Sequence, residues 1–261
     1  MYTTILTNTE DRVATITINR PEQSNAFAYE TFEEIRDELI RLGSDPDVGA
    51  IVFTGTGKNF SAGGNIANMK KYIDEGGFMA EKGPTLTGRM AIACRRCPKP
   101  TIAMINGAAA GAGAGLALAC DFRIMTPKSK LLMAFINIGL PGDTVAFYDC
   151  AKLVGTARAT EMMMLGEPIG GEKAYEWGLA TRLVADDALS QEAYAFAHKL
   201  AHRATAGFAK QKEIINKYFY DQVDAYIVDE TAGMQACSKT EDHKEAVNAF
   251  LEKRPAVFKG I

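Results

Sequence analysis

No stretch of this 261-residue chain approaches the roughly 20 consecutive apolar residues that a membrane-spanning helix needs. The opening segment, MYTTILTNTEDRV, has no basic region followed by an apolar one, so no secretory signal peptide is read and a cytoplasmic location is expected. Excess positive charge is also missing. With a net charge of −3, neither a polyanion-binding surface nor a nucleic-acid partner is expected. The five cysteines (Cys94, Cys97, Cys120, Cys150 and Cys237) are odd in number and scattered, in a chain too large to need disulfides. Cys94-Arg-Arg-Cys97 has redox or zinc spacing, but no second pair and no nearby histidine accompany it. There are only three histidines, His198, His202 and His243. His198 and His202 share an i,i+4 face, the spacing of a metal pair, yet no acidic third ligand is evident, and no metal is expected.

What is present suits a globular enzyme-sized domain: 47% apolar and 23% charged residues, enough chain for one large core with or without a helical appendage. Ile5–Thr7 and Val13–Asn19 read as strands, the second by its alternation. Tyr29 to Leu42 carries Phe32, Ile35, Leu39 and Leu42 at helical spacing and stops at Gly43. Val48–Thr54 is too apolar to be solvated on either face, as in a parallel sheet. A loop, GTGKNFSAGGNIANM, leads to a polar, Gly-broken region from Lys70 to Gly88, expected to shape a pocket, and then to a helix at Met90–Cys97. Strands at Thr101–Ile105 and Phe122–Met125 complete an α/β rhythm, with a further apolar segment at Leu131–Ile138. Beyond Asp143 the pattern is helical: Ala146–Val154, Arg158–Leu165, Gly171–Trp177, Ser190–Ala204, Ala206–Phe219, Asp224–Ala236 and Thr240–Glu252.

The stretch from Pro100 to Asp121, PTIAMINGAAAGAGAGLALACD, holds nothing larger than a methyl group between Gly107 and Gly115. It reads as a buried strand, a turn and a helix start, where another molecule can lie against the backbone and the first helical N–H groups lack partners. The loop Ser61-Ala62-Gly63-Gly64-Asn65-Ile66 is similarly bare. Donors from two such loops converging on one point make an oxyanion hole for a carbonyl oxygen that gains charge.

These residues resemble a known family, the crotonase (enoyl-CoA hydratase/isomerase) superfamily. The resemblance runs over nearly the whole chain: Asn19-Arg20-Pro21, Asn25-Ala26, Phe60-Ser61-Ala62-Gly63, Lys99-Pro100, Asn106-Gly107…Gly111…Gly113…Leu116-Ala117…Cys120-Asp121, Ala174…Gly178-Leu179 and Ala249-Phe250-Leu251-Glu252-Lys253-Arg254. It implies an α/β, ββα-repeat spiral core over residues 1–195 and a helical, trimer-forming region over 196–261, in a homotrimer or a dimer of trimers. It implies an acyl-CoA thioester as substrate, with coenzyme A part of that substrate and no separate cofactor. The thioester carbonyl is expected between the N–H groups of Gly64 and Ala112, the latter usually Gly in the family. Asn25, Ala26, Ala62, Gly63, Asn65, Ile66, Gly111, Gly115, Phe135 and Leu140 are expected around the substrate, with Asn65 capping or shaping its loop. Phe258 and Lys259 match residues that contact the CoA nucleotide, in the same or a neighbouring subunit.

Hydratases of the family use two glutamates, whose positions hold Gly115 and Phe135 here, so hydration by that route is not expected. The Gly/Ala turn is most similar to that of phenylacetate-pathway isomerases, and Asp143 falls where such isomerases and the dienoyl-CoA isomerases carry a catalytic Asp. One base suffices for a double-bond shift. Gly142 stands where that loop usually has Pro, and Asp143 reads equally as the N-cap of the following helix. The residues that decarboxylases of the family use would fall at Gly64 and near Gly142, which offer no functional side chain. Tyr72, Tyr148 and Asp149 are further candidates for the pocket wall. The expected activity is enoyl-CoA isomerisation; the alternatives are another enolate reaction (decarboxylase, hydrolase, lyase or hydratase) and a non-catalytic CoA-ester-binding scaffold.

Overall fold

The computed structural model describes residues 2–77 and 86–261. Residues 78–85, part of the segment expected to shape an acyl pocket, lie outside the described residues.

Two strands open the chain, β1 (Ile5–Glu10) and β2 (Val13–Ile18), paired antiparallel around a two-residue turn. The helix α1 (Tyr29–Ser44) then crosses to β3 (Ala50–Gly55), parallel to β2. Next come α2 (Ile66–Asp74) and α3 (Leu86–Arg96), the strands β4 (Thr101–Met104) and β5 (Ala108–Ala110), and α4 (Ala112–Ala119). After β6 (Phe122–Met125) and β7 (Lys130–Leu132), a 3₁₀ turn at Ala134–Ile138 leads to α5 (Ala146–Leu165). The last third holds β8 (Pro168–Gly170), α6 (Gly171–Glu176), β9 (Arg182–Leu183), α7 (Leu189–Ala201), α8 (Thr205–Phe219), α9 (Val223–Cys237) and α10 (Glu241–Glu252).

One six-stranded sheet, ordered β1-β2-β3-β4-β6-β9, is parallel except for its first pair. A second, three-stranded sheet is ordered β5-β7-β8. Because side chains alternate across a strand, Ile51 and Phe53 of β3 enter the main core with Ile35 and Leu39 of α1, while Ala50 and Val52 pack with Ala193, Ala197 and Ala201 of α7 on the other face. Both faces are covered, which is why these strands read as continuous apolar runs. Residue 195 falls inside α7, whose apolar face belongs to the sheet; the helices that follow the sheet-packed part of the chain are α8 to α10.

Several elements differ from expectation for local reasons. The apolar segment Leu131–Ile138 divides into β7 and the 3₁₀ turn. By contrast, the two helices expected at Ala146–Val154 and Arg158–Leu165 are present, divided by a kink at Gly155, whose φ of 77° and ψ of 161° are not helical. The strands β5, β8 and β9 have three, three and two residues, too few to show any periodicity. Among the described residues no helix is long and apolar enough to cross a membrane.

The carboxylate of Asp121, at the end of the Gly/Ala-rich stretch, accepts from Thr101 N–H at 2.9 Å and from Lys212 Nζ of α8 at 2.6 Å, tying a C-terminal helix to the central strand. Arg95 and Asp149 form a buried ion pair at 3.1 Å. The cysteines are free. Cys94 Sγ lies 3.7 Å from Cys120 Sγ, and burial pushes the Cys97 thiol up to about 11, away from redox or metal chemistry.

Candidate active site

The two Gly/Ala-rich loops meet. Ser61 N–H donates to Ala108 O at 3.1 Å and Ala110 N–H to Ser61 O at 2.9 Å, so β5 and the 61–64 loop run side by side. A Cβ on Gly63 would lie 2.6 Å from Ala110 O and 3.3 Å from Ala112 N, so the approach admits no side chain. Gly64 pairs with Phe27 in a parallel bridge whose bonds are Phe27 N–H to Gly63 O (2.7 Å) and Asn65 N–H to Phe27 O (3.2 Å). This leaves the Gly64 N–H unused. Ala112 is the first residue of α4, where an N–H has no intrahelical acceptor. Among the described residues neither amide donates to another protein group. Two free amides at the mouth of a helix suit an oxygen that carries negative charge.

Gly64 and Asp143 line one cleft, of about 70 Å3, with Phe27, Phe32, Met69 and Tyr72. A larger cavity of about 690 Å3 lies between α1, α3 and α9, where it meets Arg36, Arg89 and Arg96, and touches neither of these groups. Chemistry, not size, marks the smaller cleft as the candidate site. Asp143 is 6% exposed, and burial pushes its carboxyl up to about 7, against a smaller opposing effect of the Thr144 hydroxyl 3.2 Å from its Oδ1.

The carboxylate of Asp143 does not cap α5. That helix starts at Ala146, and the amide of Val145 is taken by Glu230 Oε2 of α9 at 3.0 Å. Thr144 and Val145 sit at φ values of 59° and 58°, unusual for β-branched residues and costing about 1–3 kcal/mol each. Glu230 therefore holds the strained turn that presents Asp143. Burial first, and then the charge of Asp143, push the Glu230 carboxyl up to about 8, while the Val145 N–H and the Tyr226 hydroxyl act the other way. Nothing in the sequence pattern of α9 marks Glu230, because its partner is 85 residues away.

The departures from the family pattern have structural counterparts. Gly142 adopts φ of +125°, which proline cannot reach. A Cβ on Gly115 would lie 1.9 Å from Thr144 Oγ1, so no glutamate fits where hydratases are expected to carry one. Phe135 is buried within van der Waals reach of Gly111 and Gly142, behind the cleft.

Of the other expected residues, Asn65 N-caps α2, accepting from Ala67 N–H at 2.9 Å, and also lines the cleft. Asn25 is buried, with Nδ2 donating to Thr56 O and Asn59 O and Oδ1 accepting from Arg20 N–H, so its side chain shapes the loop. Ala26 and Leu140 are buried, Ala62 is exposed, and Ile66 begins α2. Tyr72 lines the cleft edge-on to Tyr29, but Tyr148 packs edge-on to Tyr220 and tilted against Tyr226, and Asp149 pairs with Arg95. Phe258 and Lys259 do not line the cleft. Their segment is pinned to α10, where Asp242 accepts from the amides of Lys259 and Gly260 at 2.7 Å each.

A family model described as enoyl-CoA hydratase/isomerase matches residues 8–261. The chain is 31% identical over 257 residues to a trans-2-decenoyl-[acyl-carrier-protein] isomerase of Streptococcus mutans, covering 98% of each chain. It is 33% identical over 259 residues to a 1,2-epoxyphenylacetyl-CoA isomerase of Escherichia coli, again covering 98% of each. Its fold superimposes with a TM-score of 0.89 and 28% identity on the crystal structure of an enoyl-CoA hydratase from Mycobacterium avium subsp. paratuberculosis, covering 99% of this chain and 100% of the other.

Proposed function

Because the chain belongs to the enoyl-CoA hydratase/isomerase family, which shares the crotonase fold and acyl-CoA chemistry, we propose that it shifts a carbon–carbon double bond in an enoyl thioester, with Asp143 as the one group that moves the proton. The observation that carries this reading is that, among the described residues, Asp143 is the one acidic side chain lining the cleft that holds Gly64, and burial pushes its carboxyl up to about 7.

In this reading the thioester oxygen lies against the N–H groups of Gly64 and Ala112. The Asp143 carboxylate takes a proton from C2 of a 3-enoyl thioester, and the two amides hold the charge that moves onto the oxygen. The protonated carboxyl then returns the proton at C4, giving the 2-enoyl thioester and restoring the enzyme. A carboxyl poised near neutral pH is a competent base before the transfer and a competent acid after it. No separate cofactor takes part in these steps, since coenzyme A is part of the substrate. Hydration would need a second carboxylate to hold water, and the Gly115 position has no room for one. The test is product mass after incubation with 3-enoyl-CoA and 2-enoyl-CoA: interconversion at unchanged mass is expected, and a product heavier by one water would overturn the assignment.

Glu230 acts as a positioning residue in this account. Glu230→Ala is expected to lower turnover by roughly ten- to a hundredfold, as displaced catalytic groups do. Glu230→Gln, whose amide oxygen still accepts from Val145 N–H, should lose clearly less. Steady-state kinetics comparing the two variants checks this, because a purely structural loss would not be rescued by the amide.

We also place the enzyme in the cytoplasm, as a homotrimer or dimer of trimers. Exposed apolar side chains on α8 and the C-terminal end, including Ile214, Ile215, Tyr218, Phe219, Phe250 and Phe258, support such self-association. In an assembly of this kind, Phe258 and Lys259 serve the CoA moiety of a neighbouring site.

A further inference from the structure

The β1–β2 turn and the C-terminal end of α7 bring together three side chains that the acyl-thioester chemistry does not use. His198 Nδ1 lies 3.2 Å from Asp11 Oδ2, and His202 Nε2 lies 3.1 Å from Asp11 Oδ1. One potential ligand atom from each of the three falls within 4.8 Å of the others. The acidic third ligand that the sequence did not reveal is Asp11, 191 residues from His202.

The backbone holds these groups in place. Asp11 and Arg12 form the two-residue hairpin turn between Glu10 and Val13, with φ values of 42° and 64°. Arg12 fixes the turn to the helix and the sheet, its Nε donating to Ala201 O at 3.3 Å and its carbonyl accepting from Gly49 N–H at 2.7 Å. His202 caps α7, its N–H donating to His198 O at 3.2 Å. A second observation points to a ligand. His198 Nδ1 is shielded from solvent and has no hydrogen-bond partner, although Asp11 is close, because the direction between them does not suit a hydrogen bond. A nitrogen both shielded from water and uncommitted is what a metal ion completes. Donors around a tetrahedral ion with bonds of about 2.0–2.2 Å stand roughly 3.3–3.6 Å apart; the imidazoles lie 3.2 and 3.1 Å from different oxygens of Asp11, and one ligand atom from each residue falls within 4.8 Å of the others.

We propose that Asp11, His198 and His202 form a binding site for one divalent transition-metal ion of the zinc class, with its fourth position open to water. Two imidazoles select such an ion over magnesium or calcium, which favour oxygen ligands. The site lies on the α7 side of the large sheet, so the ion would staple the first hairpin to that helix and leave the acyl cleft alone.

The test uses the full chain, stripped of metal by chelation and dialysed, and titrated with Zn2+ by calorimetry. One equivalent is expected to bind. Since even outer-shell partners of a metal are worth about 10–100-fold in affinity, His198→Gln, His202→Gln and Asp11→Asn should each weaken it more than roughly tenfold. Melting of the metal-free forms shows whether each variant folds, and Zn2+ should raise the melting temperature of the wild type but not of the variants. Co2+ in place of Zn2+ should show tetrahedral bands without thiolate charge transfer. Failure of the wild type to bind, an equivalent kept by all three variants, or a thiolate signature would each overturn the assignment.

Discussion

Asp143→Asn is expected to lower enoyl-thioester isomerisation by roughly 10²- to 10⁴-fold, the range that a positioned general base contributes. The substitution is nearly isosteric, so the Thr144 contact and the turn held by Glu230 survive it. The two oxyanion donors are backbone amides of Gly64 and Ala112, which no change at position 143 removes. Affinity for a non-isomerisable acyl-CoA should therefore stay close to that of the wild type, with the loss falling on turnover. The pH profile sharpens the expectation. Since the carboxylate is the form that accepts the proton, the wild-type rate should rise with pH and level off above about 7, where burial places this group. The variant's residual rate should lack that rise. Stopped assays across pH, paired with equilibrium binding, check both parts.

The same substitution is expected to stabilise the protein above neutral pH. A carboxyl whose folded-state value is raised loses stability as pH climbs from the ordinary carboxylate range through the folded value, because the folded form disfavours the charge. For Asp143 that window runs from 3.8 to about 7. A shift of about three units corresponds to at most about 4 kcal/mol by pH 8, at 1.36 kcal/mol per unit. Asp143→Asn removes the charge, so its unfolding free energy should exceed the wild type's by up to that amount at pH 8. The two proteins should converge at about pH 3, where the wild-type carboxyl is mostly protonated in both states. Glu230, freed from the neighbouring charge, adds in the same direction. Urea unfolding at both pH values measures the difference, and a wild type that is the more stable at pH 8 would show that Asp143 is stabilised by its ionised contacts. An active-site charge held at a cost in stability is the familiar trade between activity and stability.

The parts of the site that could be read in the sequence are those written as missing side chains. From Gly107 to Gly115, and again at Gly63-Gly64, the need for close backbone approach leaves a visible run of Gly and Ala, and the contact between Gly63 and Ala110 explains it. The α1 helix was legible because its apolar residues recur at helical spacing, and β3, β4 and β6 because burial on both faces leaves continuous apolar runs. Asp143 stood out through the family resemblance, and the sequence left its role as base or cap open; the Val145–Glu230 bond answers the capping half. Glu230 and Asp11 were hidden for another reason. Each acts on a partner far along the chain, and pairing at such distance has no local pattern. The β8 and β9 strands were hidden because three and two residues are too few to show a period. Why Ala112 replaces the glycine usual in the family is not explained by its surroundings.

The most direct test of a single proton carrier is deuterium uptake. Wild type and Asp143→Asn would each be mixed with 3-enoyl-CoA in deuterated water, and substrate and product followed by mass spectrometry. Isomerisation is expected in the wild type, with any deuterium in the thioester entering through exchange at the Asp143 carboxyl, and neither isomerisation nor uptake is expected in the variant beyond the residual rate. Equal uptake by both proteins would contradict it and assign the proton transfer to another group.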